Sequence, residues 1–203
     1  MPAAETQPHQ NAPFYSSQLV EHLRLDNYHW LMTHCKQHGL GQLIARMLAS
    51  QMVGDGAMPR WLGLSWRDFE LLMDKHFNCL ELKQFGNYGI ELALDRVDEH
   101  AELRTLLLSH AEGDPRQASW LADILVAGCM GPDHLWQDLG LWSRADLKAL
   151  IHASFTPLAQ KNEHDMKWKK FFYKQLCIQE GVYTCRAPSC QVCNDYASCF
   201  GPE

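Results

Sequence analysis

The chain has 203 residues, 46% of them apolar and 21% charged, and a formal net charge of −6. That is enough for one domain with a sizeable core and no need of covalent staples, while the acidic balance excludes a general affinity for nucleic acid, which requires an excess of Lys and Arg on one face. No run approaches the ~18 apolar residues of a membrane span, and the start "MPAAETQPHQNAPF" lacks the basic beginning and apolar centre of a secretory signal. A cytoplasmic location is therefore expected, where thiols stay reduced and clustered cysteines are read as metal ligands or redox groups rather than disulfides.

Residues 1–14 carry three Pro among polar neighbours without periodicity and are expected to form a disordered leader. From there apolar residues recur at helical spacing. In "LGQLIARMLASQM" a stripe runs through Leu40, Leu43, Ile44, Met47, Leu48 and Met52, and "GDG" ends it. "SWRDFELLMDKHF" opens with a capping pair, Ser65 and Asp68, and offers Phe69, Leu72, Met73, His76 and Phe77 to a core. A charged helical pattern follows from about Leu94 to Ser109. Asp114-Pro115 starts another helix, with Trp120, Leu121, Ile124 and Leu125 on its buried face, and Gly131-Pro132 stops it. "DHLWQDLG" predicts a short helical turn ended by Gly140, and Ser143 with Asp146 caps "RADLKALIHASF", whose apolar side is Leu147, Leu150, Ile151 and Phe155.

The last predicted helix runs from about His164 to Gln179. Trp168, Phe171, Phe172 and Leu176 face one way, and Lys167, Lys170 and Lys174 form a stripe on another side. Five lysines stand between Lys161 and Leu176 against Glu163 and Asp165, a local positive excess in an acidic chain; a solvated face with Glu163 and Lys167 paired is the plainer alternative. Strand-like alternation is scarce. The fold class expected is all-α: a single helical domain of six to eight helices over residues 15–180, then an irregular cysteine-rich tail over residues 181–203.

That tail contains "CRAPSCQVCNDYASC", in which Cys185, Cys190, Cys193 and Cys199 stand at C-x4-C-x2-C-x5-C. Four thiolates carry four negative charges, and a soft, multiply charged metal centre is their natural partner. Structural zinc usually takes two tight C-x2-C hooks a dozen or more residues apart, and only one such hook is present. Iron–sulfur clusters are larger, and uneven short spacings suit them. Spacing therefore favours an iron–sulfur cluster over zinc, and zinc over an unmetallated redox tail.

Together with "GPDHLWQDLGL", the segments "NEHDMKWKKFFYKQLC" and "GVYTCRAPSCQVCNDYASCFGPE" resemble the NifQ family of nitrogen-fixation proteins, over about the last hundred residues. The resemblance implies a carrier rather than a conventional enzyme: a protein whose iron–sulfur cluster, built on a 4Fe-4S or 3Fe-4S precursor, takes up molybdenum to give a Mo–Fe–S centre. It would donate the metal to the iron–molybdenum cofactor of nitrogenase, with the cofactor scaffold complex and the nitrogenase iron protein as partners. The cluster ligands carried over are Cys185, Cys190, Cys193 and Cys199. Molybdate is a hard oxyanion, and Lys167, Lys170 and Lys174, with His164 beside them, are the residues expected to bind it as point charges.

Further candidates have plain alternatives. Cys177, at the end of the last helix, is either an extra sulfur ligand or a packed thiol, and Cys35, Cys79 and Cys129 are read by default as small buried hydrophobes. His134 and Asp138, four apart after Cys129, would share a helix face and could bind a metal; a histidine oriented by a carboxylate is the alternative. Trp136 and Trp168 are expected in the core or covering the tail. No nucleophile motif, P-loop or dinucleotide fingerprint is present, so hydrolytic or nucleotide-dependent catalysis has no support. The rival from another class is a zinc-stabilised helical interaction module.

Overall fold

Helical periodicity and capping residues dominate the chain, and the computed structural model, which describes residues 17–90 and 97–180, is helical accordingly. Among the described residues the helices are α1 (Ser17–His34), α2 (Leu40–Met52), α3 (Trp66–His76), α4 (Val97–Leu108), α5 (Pro115–Cys129), α6 (Leu135–Asp138), α7 (Arg144–His152), α8 (Thr156–Gln160) and α9 (Trp168–Glu180). Short 3-10 turns at Arg60–Gly63 and Leu82–Asn87 complete a single helical domain. No strand occurs among these residues, only the isolated bridges Cys35–Phe77 and Pro59–Ile90. The leader and the four-cysteine tail lie outside the described residues.

The caps read from the sequence are made. Ser65 Oγ accepts the Asp68 N–H at 3.1 Å and donates to the Asp68 carboxylate at 2.6 Å, which starts α3. Ser143 Oγ accepts the Asp146 N–H at 3.1 Å ahead of α7, and the Asp114 carboxylate accepts the Arg116 N–H at 2.9 Å ahead of α5, with Pro115 in the first helical position. Each cap satisfies a backbone N–H that the helix leaves without a partner, worth about 1 kcal/mol.

α5 is the central helix. It is buried nearly all round, and α3, α4, α6 and the Arg60–Gly63 turn pack against it. Gly128 allows α6 to come close: a β-carbon there would stand 2.7 Å from Leu139 Cδ2. The core faces expected for α3 and α7 are buried, Phe69, Leu72 and Met73 on one and Leu147, Leu150 and Ile151 on the other, with Phe155 beyond. His76 also lies in the core, 9% exposed, and burial with the nearby Lys75 and Lys36 charges brings its pKa down to about 4.

Three expectations need correction. Nine α-helices stand among the described residues where six to eight were expected, and one of them, α1, has no apolar stripe and buries only Leu31, so pattern alone did not single it out. It is held by packing on α2 and by a clasp in which the Arg24 and Arg46 guanidinium groups each lie 5.2 Å from the Trp142 ring, Arg46 also pairing with Asp146 of α7. The last helix starts at Trp168 rather than His164, because the Asn162 side chain is closed onto Met166, accepting its N–H at 2.9 Å and donating to its carbonyl at 3.0 Å. Asp165 inside that loop has φ +47°, a left-handed conformation that no helix interior allows. Finally, the default of burial holds for Cys129 and fails for Cys79, which is exposed, while Cys35 and Cys177 are half-buried.

Candidate functional site

α9 is placed by its aromatic residues. Phe171 and Phe172 are buried, Trp168 packs against them, and Leu176 extends the apolar face. Tyr173 is buried as well, its hydroxyl donating to the Glu99 carboxylate of α4 at 3.1 Å, so α4 and α9 are joined by a polar contact inside an apolar seam. Sequence reasoning missed Tyr173 because its position lies outside the aromatic stripe and its partner is 74 residues away.

The foot of α9 is fixed by a buried ion pair. Lys169, a residue left out of the predicted stripe, turns inward and pairs with the Asp138 carboxylate, and it donates to the Gly131 carbonyl at 2.7 Å. The side chain of Asp138 is 1% exposed and that of Lys169 13%. The Asp133 N–H adds a bond to Asp138 at 3.2 Å. Burial pushes the Asp138 carboxyl up and the Lys169 ammonium opposes it. Gly131 makes room for the carboxylate: a β-carbon there would fall 2.4 Å from it. Asp138 therefore serves Lys169 and does not stand on one helix face with His134, which is the non-helical residue ahead of α6.

Beside Lys169 opens a cleft of about 730 Å³, a size usual for a small-molecule site. Its walls are the segment Pro132 to Gln137, the first two turns of α7 at Arg144, Leu147 and Lys148, the loop at Asn162 to Met166, and the foot of α9 at Lys167 to Lys170. Of the candidate residues, the fold brings His134, Lys167 and Lys170 together here, with Trp136 and Trp168 as apolar wall. Lys174 and Cys177 stand further along α9, outside the cleft, and exposed His164 does not line it. Arg144 and Lys148, on a different helix, were not singled out in the sequence.

The potential in the cleft is uneven. Asp133, Glu163 and Asp165 line it together with Arg144, Lys148, Lys167, Lys169 and Lys170, and Asp138 neutralises Lys169. At His134 the positive side prevails: burial first, then the charges of Lys167 and Arg144, hold its pKa below the ordinary value against the opposing pull of Asp133. Among the described residues no group of three or more His, Cys, Asp or Glu could hold a metal ion. The four thiols of the tail remain the donor set suited by chemistry to a soft metal centre.

A family model described as NifQ matches residues 43–201, which takes in most of α2, all of α3 to α9 and all four tail cysteines. The likeness thus starts far ahead of the last hundred residues. Protein NifQ of Azotobacter vinelandii is 44% identical over 170 residues, covering 79% of this chain and 87% of that protein. The Rhodobacter capsulatus protein of the same name is 39% identical over 165 residues, 81% of this chain and 89% of the relative. That of Klebsiella pneumoniae is 38% identical over 154 residues, 72% and 90%. No solved structure matches the chain.

Proposed function

This chain belongs to the NifQ family, and from that membership and the cationic cleft at the foot of α9 we propose that it serves nitrogen fixation as a molybdenum donor. Its cargo is molybdenum, taken up as molybdate and passed to assembly of the iron–molybdenum cofactor of nitrogenase. Cys185, Cys190, Cys193 and Cys199 would hold an iron–sulfur cluster, which supplies the sulfur that molybdenum must bind before it can enter a sulfide-rich cofactor. The recipients proposed are the cofactor scaffold complex and the nitrogenase iron protein.

The observation that carries the reading is the gathering of Lys167, Lys170 and Arg144 in one cleft of a chain with net charge −6. Those cations attract a small oxyanion into a protein that otherwise repels anions. Lys174 continues the positive line along α9 towards the cysteines. Burial of Phe171, Phe172 and Tyr173 keeps α9 fixed on the domain, so the tail leaves from a rigid post.

Protein purified without oxygen from cells supplied with molybdate should contain iron and molybdenum by elemental analysis. Changing Cys190→Ser and Cys193→Ser together should remove both metals while the far-ultraviolet circular dichroism keeps its helical signal, since the described core does not include them. Zinc as the sole metal would overturn the donor reading and make the tail a structural zinc module.

A further inference from the structure

Arg144 and Lys148 stand one turn apart at the start of α7, both exposed, both lining the cleft, and no ion pair engages either among the described residues. Facing them is Lys167, the residue whose carbonyl accepts the Phe171 N–H at the foot of α9. The charges of Lys167 and Arg144 both act on the ring of His134, just ahead of α6, so they converge on one point although 23 positions separate them in the chain. The first turns of α7 and α9 line the same cleft, and helix starts carry partial positive charge. Trp136 belongs to the cleft wall, and its buried indole N–H has no acceptor among the described residues.

We propose that this cleft is a holding site for a free tetrahedral oxodianion, with Arg144 as the forked donor and Lys148 and Lys167 as flanking charges, separate from the cysteine tail. The proposal rests on the donor reading above for its reason to bind such an anion; the location and the role of α7 come from the fold. A planar guanidinium presents paired N–H groups that match two oxygens of a tetrahedral anion, and the ammonium groups neutralise charge without fixing direction. Hard oxygen ligands suit N–H donors, whereas thiolates suit the metal once oxygen has given way to sulfur. α9 runs about 20 Å from the cleft to its last residue, Glu180, and the thiols follow it in the chain.

The test is equilibrium dialysis of the full-length, metal-free protein against molybdate at low ionic strength, repeated with tungstate, and with sulfate as competitor. Wild type and the Cys190→Ser/Cys193→Ser variant should bind molybdate equally, tungstate should behave like molybdate, and sulfate should compete. The Arg144→Gln/Lys148→Gln variant should bind about tenfold or more weakly, as expected for loss of charge-assisted hydrogen bonds, with unchanged circular dichroism. Binding lost in the cysteine variant and kept in the Arg144/Lys148 variant would overturn the holding site and move the anion to the tail, leaving the donor reading intact. No molybdate binding by metal-free wild type, where oxygen-free preparations still carry molybdenum with iron, would overturn it likewise. Failure of the donor reading shows separately, as zinc in place of iron and molybdenum.

Discussion

Replacing Lys169 with Met leaves the Asp138 carboxylate 1% exposed with one backbone N–H and no counter-charge. Breaking a buried pair from one side typically costs about 3–5 kcal/mol; the 13% exposure of the Lys169 side chain, which lets water in on one side, argues for the lower end, about 3 kcal/mol at pH 7.5. Burial already pushes the Asp138 carboxyl up, and removing Lys169 takes away the main influence opposing it. In the variant the folded-state pKa therefore lies well above the unfolded value. Such a group binds a proton more readily folded than unfolded, so the deficit is full at neutral pH and shrinks as pH falls through the raised pKa. Urea unfolding followed by circular dichroism at pH 7.5 and pH 5 measures both quantities, and the difference from wild type at each pH removes groups common to the two proteins. The double variant Lys169→Met/Asp138→Asn should recover at least half of the loss, because the unpaired charge is gone. A Lys169→Met cost below about 0.5 kcal/mol, equal at both pH values, would refute the account of the pair as the anchor of α9.

His76 gives a second pH effect of opposite sign. Its pKa is lowered from 6.5 to about 4, so the unfolded chain binds the proton first, and stability falls as pH drops from about 6.5 towards 4, by about 3 kcal/mol in full. His76→Gln should flatten the urea midpoint over that window relative to wild type; an unchanged slope would exclude His76 as the cause. Gly131→Ala should lower stability by about 1–3 kcal/mol, since its β-carbon would meet the Asp138 carboxylate at 2.4 Å, and thermal unfolding within experimental error of wild type would show that the carboxylate moves aside freely.

The sequence by itself determined what local interactions decide. Ser65 with Asp68, Ser143 with Asp146, and Asp114 with Pro115 each mark a helix start, because cap and first turn lie within three residues and their hydrogen bonds need no distant partner. The buried faces of α3 and α7 followed from spacing for the same reason, since a helix turns its apolar stripe to whatever core exists. The four-cysteine spacing and the family resemblance were likewise legible along the chain. What only the tertiary structure decided depends on residues far apart. The inward turn of Lys169 requires Asp138 and the room left by Gly131, so a lysine in a charged stretch became a buried anchor. α1 is a helix without a stripe, held where its own Arg24 meets Trp142, a ring that Arg46 of α2 shares. The cleft joins Arg144 and Lys148 of α7 to Lys167 through the packing of α6 and α7 on either side, and no helical period connects positions about twenty residues apart. Periodicity reports which face of one helix is apolar; which charged faces meet is set when the helices dock.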